Sequence, residues 1–194
     1  KLPSETFDLS VGQWSDWKDI SFKLNALTSV KGIVRFHLAS VEPLELYQSP
    51  INFDPRSPAF PISYPSGYAK ELSKELGMYH TIGQAEDTWS LNEGRVSDET
   101  FLQQCERVIQ EREAMLKYEL ARFENGLLVI SFDTPDRIQH MFWRYHDPEH
   151  ALYDAEAAKK FQNVFPRVYQ TMDRILGETM ASVPEDTTII VLSD

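Results

Sequence analysis

The chain has 194 residues, of which 42% are hydrophobic and 12% aromatic, a composition typical of a folded globular protein and not of a disordered one. Its 19 Lys and Arg residues against 30 Asp and Glu residues give a net charge of -11, which argues against surface binding of nucleic acid or of an anionic membrane. No apolar run in the sequence approaches the roughly 20 residues of a membrane-spanning helix.

The two ends of the sequence and its cysteine content bear on whether the chain is part of a longer protein and on its compartment. The chain begins at Lys1 without an initiator Met, and Asp194 closes an apolar run, so we expect an interior piece of a longer protein. Cys105 is the only cysteine, which excludes an internal disulfide and predicts a buried thiol on the apolar side of a helix. A single thiol favours the cytoplasm over an oxidising compartment, but the sequence does not identify the compartment.

The first third of the chain is predicted to be β-rich. Short aromatic and β-branched runs predict strands at residues 7–9, 14–24, 33–38 and 44–47. Within 33–38, strict alternation predicts that one face of the strand carries Ile33, Arg35 and His37, and the other Val34, Phe36 and Leu38. Five prolines between Pro50 and Pro65 predict an irregular loop and a domain boundary near residue 65.

The periodicity becomes helical after this loop. Residues 66–76 are predicted to form a short helix closed by Gly77, and residues 97–123 a long amphipathic helix with Ser97 or Asp98 as its cap. Asn125 and Gly126 end the long helix, and the apolar run 127–132 directly after them predicts a buried strand. A helix leading into such a strand is typical of a parallel sheet.

A second buried strand is predicted at residues 187–193. An apolar stripe of helical spacing between Phe161 and Leu176 precedes it, and Pro166 either kinks this helix or starts a new one. The strand, helix and strand together predict an α/β fold with a mostly parallel sheet, flanking helices and a right-handed crossover. Ligands in such sheets bind beyond the carboxyl ends of the strands, where Asp136 and Asp194 are expected.

Asp136 and His140 are candidate metal ligands. They are four residues apart, so their side chains lie on the same side of one helical turn. A carboxylate oxygen with an imidazole nitrogen suits zinc, and manganese or iron would accept the same pair. Asp194 would add a carboxylate from the neighbouring strand, to the same ion or to a second one.

A purely structural interpretation competes with the metal site. Asp136 to Gln139 also fits a capping box in which Asp136 is the N-cap, and His140 is then an ordinary helix residue. Asp194 alone fits a turn after a strand. Only the combination of acids at two neighbouring strand ends favours the metal-site interpretation over the structural one.

Other polar and aromatic residues carry weaker signals. His146 and His150 are also four apart, but Asp147-Pro148 between them predicts a turn and a solvated pair. Trp14 and Trp17 are predicted to lie in the core rather than to form an aromatic platform for a ligand. Arg137 and Arg144 are predicted to lie at the surface, with contact to a substrate as the alternative.

Two sequence motifs resemble a known family: Thr134-Pro135-Asp136-Arg137-Ile138-Gln139-His140 and, one crossover later, Val191-Leu192-Ser193-Asp194. They are similar to motifs of the alkaline phosphatase superfamily, in particular its type I phosphodiesterase and nucleotide pyrophosphatase branch. Members carry Pro-Asp-x-x-x-His for one metal ion and Ser-Asp-His-Gly for another. The resemblance implies two divalent ions, with Asp136 and His140 on the first and Asp194 on the second. It also implies further ligands beyond both ends of the sequence, so the metal site is expected to be incomplete in this chain.

The resemblance also implies a function for the parent protein. It implies metal-dependent hydrolysis of phosphodiester, pyrophosphate or related bonds in a small-molecule phosphate ester, with a Ser or Thr nucleophile expected upstream of residue 1. Residues 1–65 are then a β-rich insertion with a Pro-rich loop, and 66–194 are part of an alkaline-phosphatase-like α/β core. Lacking the nucleophile, the chain itself is expected to be inactive.

Two alternatives stay open at this point. A metal-dependent phosphotransferase of the phosphoglycerate mutase kind would use the same ligand pattern. A non-catalytic interaction module would use the β-rich region to bind a partner, with its acids only capping helices. The sequence makes no prediction of the oligomeric state.

Overall fold

The computed structural model describes residues 6–25 and 28–193 of the chain. The chain divides into two compact units between residues 111 and 112. The division lies inside a long helix, α3 (Asp98–Leu120), and not in a loop. The sequence predicts a boundary near residue 65, between an insertion and a hydrolase core. This boundary stays a prediction.

The β structure of the first unit consists of two small antiparallel sheets. One has the order β1 (Lys18–Lys23), β2 (Ser29–Val34) and β5 (Asn52–Phe53), and the other pairs β3 (Phe36–Val41) with β4 (Leu44–Gln48). Gly32 is required where β2 meets β5, because a Cβ there would lie 2.9 Å from the backbone carbonyl oxygen of Asn52. The predicted β-rich region is therefore confirmed, although residues 7–9 are not a strand and Trp14 forms only an isolated bridge with His37.

The predicted strand 33–38 is divided at Arg35. The Arg35 N–H donates to Oγ of Ser49 (2.9 Å), and the Arg35 carbonyl accepts from the Ser49 N–H (2.9 Å). The next N–H, of Phe36, donates to Oγ of Ser15 (2.9 Å). Because the chain passes from one sheet to the other here, the predicted alternation of faces is wrong, and side chains of both predicted faces are buried: Ile33, Val34, Phe36, His37 and Leu38.

The helices of the first unit follow the sequence signals closely. Helix α1 (Tyr68–Leu76) is closed by Gly77 at φ +82°, and a short α2 (Thr88–Asn92) precedes α3. Ser97 caps α3, since its Oγ accepts from the Thr100 N–H at 3.1 Å. The apolar side of α3 is buried as predicted, at Phe101, Cys105, Val108 and Ile109.

The second unit is helical. It contains the end of α3, α4 (Thr134–Phe142) with a 3₁₀ turn (Trp143–Tyr145), α5 (Ala155–Phe161) and α6 (Val164–Ser182). Pro166 lies in the first turn of α6, so it starts a new helix, which is one of its two predicted effects. A cluster of charged side chains joins α3 to α6, because Arg174 binds both carboxylate oxygens of Glu113 at 2.8 Å.

The predicted parallel sheet is not confirmed. Residues 127–132 and 187–193 form neither helix nor strand, and both sheets of the described residues are antiparallel. Apolar side chains in both segments are largely exposed, with Leu127 at 87% and Leu192 at 86%. A strand is defined by pairing, and an apolar run does not supply its own partner. Among the described residues, no helix is both long and apolar enough to span a bilayer.

Candidate metal site

Helix α4 positions the two residues that the sequence singles out. Asp133 occupies the N-cap position and Pro135 the first turn, where its missing N–H costs no helical hydrogen bond. Asp136 lies in the first turn and His140 in the last. The capping-box interpretation is wrong, since Asp136 is inside the helix and Gln139 Nε2 donates to the Pro135 carbonyl (3.4 Å).

Asp136 and His140 contact each other on the helix surface. Nε2 of His140 lies 3.1 Å from Oδ1 of Asp136, with the side chains 73% and 49% exposed. The other carboxylate oxygen, Oδ2, accepts from the Arg137 guanidinium at 2.8 Å. Both candidate ligands are therefore accessible to an ion from solvent. The two oxygens of the Asp136 carboxylate already contact His140 and Arg137.

The pair fits two positions of a metal site. One carboxylate oxygen and one imidazole nitrogen, at the i and i+4 positions of one helix, are donors of the type that zinc binds. Within residues 6–25 and 28–193, however, no three His, Cys, Asp or Glu residues are grouped so as to hold an ion. Asp194 lies outside the described residues, so its place beside the pair stays a prediction.

Arg137 borders the pair and is not a simple surface residue. Its side chain is 33% exposed, and its Nε is buried without a hydrogen-bond partner while the terminal nitrogen binds Asp136. An unsatisfied buried donor is costly unless another group accepts from it. The guanidinium is thus fixed next to the carboxylate, where it can also attract an anionic group.

An aromatic cluster that the sequence analysis did not single out lies one turn beyond His140. Trp143, from the 3₁₀ turn, stacks on Phe165 of α6 with ring centroids 6.1 Å apart and an angle of 27°. His146 contacts both rings, with centroid distances of 5.2 and 5.1 Å. The spacing of Trp143 from His140, three residues on a helix, is the signal that could have predicted its proximity.

His146 and His150 differ in their surroundings. His146 is exposed, and Nδ1 of His150 accepts from the Leu152 N–H at 3.1 Å. The chain turns between them as Asp147-Pro148 predicts. Neither histidine is needed for the metal interpretation.

A second polar cluster, in the first unit, was also missed by the sequence analysis. Nδ1 of His80 lies 2.8 Å from Oε2 of Glu111, and the His80 N–H donates to the same oxygen at 2.9 Å. Burial alone would raise the pKa of Glu111, but hydrogen bonds and charge from His80 outweigh it and hold the pKa below its usual range. No sequence signal links residues 31 positions apart.

The two tryptophans near the N-terminus are half-buried and hold an arginine. The guanidinium of Arg35 lies 5.3 Å from the Trp14 ring and 6.0 Å from the Trp17 ring, and its Nε donates to the Ser15 carbonyl at 2.9 Å. Burial is the largest influence on this group and lowers the pKa of Arg35. The core position predicted for Trp14 and Trp17 is only partly correct, because both side chains are half-buried.

The fold and the site together define a mixed α/β protein with an acid and a histidine presented on one helical turn. The family model for type I phosphodiesterase / nucleotide pyrophosphatase matches residues 39–194, a range that includes Asp136, His140 and Asp194. The chain belongs to this family, which confirms the resemblance. The family is one of hydrolases and is generally metal-dependent. Curated proteins and solved structures give no match to the chain.

Proposed function

We propose that the chain supplies metal ligands to a hydrolase of phosphodiester, pyrophosphate or related phosphate ester bonds. The observation that carries the proposal is the contact between Asp136 and His140, 3.1 Å apart, inside the segment that the family model covers. In this proposal Asp136 and His140 hold one divalent ion and Asp194 holds a second. Zinc suits this donor set, with manganese and iron as the other candidates.

The charge of the protein supports this chemistry. A chain with a net charge of -11 repels an anionic phosphate ester unless a local positive charge offsets it. Bound divalent ions supply that charge and polarise phosphoryl oxygens. Arg137 adds a fixed guanidinium beside the ligand pair, in a position to attract the same anion.

His140 and Asp136 have distinct tasks in the proposed site. Asp136 offsets part of the positive charge of the ion, and Arg137 on its second oxygen limits rotation of the carboxylate. His140 contributes a neutral nitrogen, so it binds metal only when its Nε2 is not protonated. Their side chains are more than two-fifths exposed, which leaves room for a substrate phosphate on the solvent side.

The test is a metal titration combined with a substrate panel. The chain, and the full-length protein where it is longer, are titrated with zinc, manganese and ferrous iron by calorimetry. Each is then assayed on phosphodiesters, pyrophosphates and phosphomonoesters. We expect the full-length protein to release product in a metal-dependent reaction that Asp136→Ala abolishes and His150→Ala leaves unchanged, and we expect the chain alone to release none.

The same assay separates the alternatives. A phosphoryl group moved between the hydroxyls of a phosphoglycerate, without release of inorganic phosphate, would identify a phosphotransferase of the mutase kind. Stoichiometric metal binding and turnover that Asp136→Ala leaves intact would refute the ligand assignment. Absence of any metal-dependent reaction in the full-length protein would favour an interaction module.

A further inference from the structure

Arg35 is a half-buried cation between two tryptophans in the first unit. Its guanidinium lies 5.3 Å from the Trp14 ring and 6.0 Å from the Trp17 ring, and its Nε donates to the Ser15 carbonyl at 2.9 Å. Within residues 6–25 and 28–193, this side chain makes no other hydrogen bond and no ion pair. Burying a charge is costly unless the charge is paired and hydrogen-bonded, so the terminal nitrogens of Arg35 lack the acceptors that would offset this cost.

One side of helix α3 packs towards the two tryptophans. Positions 103, 107 and 111 are four residues apart, so they lie along the same side of α3. Gln103 contacts the first tryptophan, since its Oε1 accepts from Nε1 of Trp14 at 2.9 Å. Glu111 reaches the second through His80, whose Nδ1 lies 2.8 Å from Oε2 of Glu111 and whose ring centroid lies 4.7 Å from that of Trp17.

Arg107 lies between these two contacts, on the side of α3 that faces Arg35. Burial lowers the pKa of Arg35 most, and the charge of Arg107 lowers it further, so the two guanidiniums are close neighbours. Nε of Arg107 donates to Oε1 of Glu111 at 3.2 Å, and the Arg107 side chain is 44% exposed. Two like charges therefore meet at a place that solvent can reach.

The carboxylates near these arginines do not balance both charges directly. Glu111 uses Oε1 for Arg107 and Oε2 for His80, and Asp16 acts on Arg35 through its charge without an ion pair. The cluster also contains a second unmet donor, because Nε1 of Trp17 is buried without a hydrogen-bond partner among the described residues. Buried donors are rarely left unsatisfied in native proteins, so the cluster lacks acceptors as well as negative charge.

We propose that Arg35 and Arg107 bind the carboxylate of a small organic acid, at a place that we name the arginine site. The edge of a guanidinium offers two parallel N–H groups that match the two oxygens of a carboxylate. The tryptophans already hold the guanidinium of Arg35, so little side-chain freedom is lost on binding. Because Glu111 offsets Arg107, one positive charge is left without a direct partner, which favours a carboxylate over a phosphate dianion.

The arginine site is separate from the candidate metal site. It includes neither Asp136 nor His140, and Arg35 precedes residue 39, where the match to the family model begins. The inference therefore does not rest on the proposed function, and the two can fail independently.

The test is a titration of the metal-free chain with sodium acetate at constant ionic strength. The readout is the indole N–H signals of the four tryptophans in a proton–nitrogen correlation spectrum, assigned with single Trp→Phe variants. We expect saturable shifts of the Trp14 and Trp17 signals. The signals of Trp89 and Trp143 should not move, because these residues lie outside the arginine site.

Variants of the two arginines identify the donors. Arg35→Gln should weaken acetate binding at least about tenfold, the loss expected for a hydrogen bond to a charged group. Arg35→Lys should not restore it, because lysine keeps the charge but lacks the planar pair of donors. Arg107→Gln, at a more exposed position, should weaken binding about two- to fivefold and supplies the test if the Arg35 variants do not fold.

Arg95→Gln is the matched control. Arg95 also lies 5.3 Å from a tryptophan ring, that of Trp89, but it is exposed and outside the arginine site. This variant should bind acetate as the wild-type chain does.

Three results would overturn the proposal. The first is the absence of a saturable shift, or equal shifts of all four indole signals. The second is unchanged acetate affinity in Arg107→Gln. The third is saturation by inorganic phosphate at lower concentration than by acetate, which would assign the arginine site to a phosphate group instead.

Discussion

Nε2 of His140 lies 3.1 Å from Oδ1 of Asp136, across one turn of α4. The distance follows from the i and i+4 positions of the two residues, and no tertiary contact is needed to create it. A single ion can replace this contact by binding both atoms. The position of the imidazole along α4 should therefore decide the metal affinity.

We predict that, in the full-length protein, His140→Gln weakens zinc binding by more than about 100-fold. Loss of a group that only orients a ligand costs about 10- to 100-fold, and loss of the ligand itself should exceed that. Moving the imidazole to the next position, with His140→Gln and Met141→His together, should not restore binding, because it rotates the ring by about 100° around α4. Calorimetric titration with zinc measures this. Recovery of the affinity in the double variant would contradict the helical arrangement.

The second prediction concerns the buried pair of His80 and Glu111. The pKa of Glu111 is lowered in the folded chain, so its ionised form stabilises the fold above the unfolded pKa of about 4.3. This contribution is lost as the pH falls through the lower, folded pKa. Glu111→Gln should destabilise the protein by about 1–3 kcal/mol at pH 7 and flatten the dependence of stability on pH between about 5 and 3.

Urea unfolding at a series of pH values measures both effects. Glu106→Gln, an exposed position on the same helix, is the control and should change neither the stability nor its pH dependence. An unchanged pH dependence in Glu111→Gln would show that the pair with His80 contributes nothing to acid sensitivity.

The third prediction concerns the thiol of Cys105. Burial, together with the nearby charge of Glu86, raises the pKa of Cys105 well above its usual range. The thiolate is the reactive form, so a disulfide reagent at pH 8 should modify the folded chain at least about 100-fold more slowly than the chain in urea. In a Cys105→Ala background, a cysteine placed by Gln110→Cys on the exposed side of α3 should react rapidly in the folded protein. Equal rates for Cys105 in both states would show that the thiol is accessible.

The fourth prediction concerns the two apolar segments 127–132 and 188–193. Val129 is 79% exposed and Ile190 is 74% exposed, within uncharged runs that lack proline, the composition that favours strand pairing between chains. The chain should therefore self-associate at micromolar concentration. Val129→Lys with Ile190→Lys should reduce this association, measured by sedimentation velocity.

Leu152→Lys provides the control for these segments, since Leu152 is 67% exposed in a turn and outside both of them. It should leave self-association unchanged. A monomeric wild-type chain at high concentration would refute the prediction.

Features that depend on neighbours along the chain could be predicted from the sequence. Gly77 closes α1, Ser97 caps α3 and Pro166 begins α6, because each acts through its own backbone or the next turn. The contact of Asp136 with His140 belongs to the same class, since four residues of helix bring the two side chains together.

Features that depend on residues distant in sequence follow only from the packing of the folded chain. Arg35 separates two sheets through hydrogen bonds to Ser49, and the runs 127–132 and 188–193 do not become strands, since pairing needs a partner that periodicity does not specify. The stack of Trp143 on Phe165 likewise depends on how α6 packs on α4. Local spacing therefore defines the candidate ligands, whereas only packing between helices shows what surrounds them.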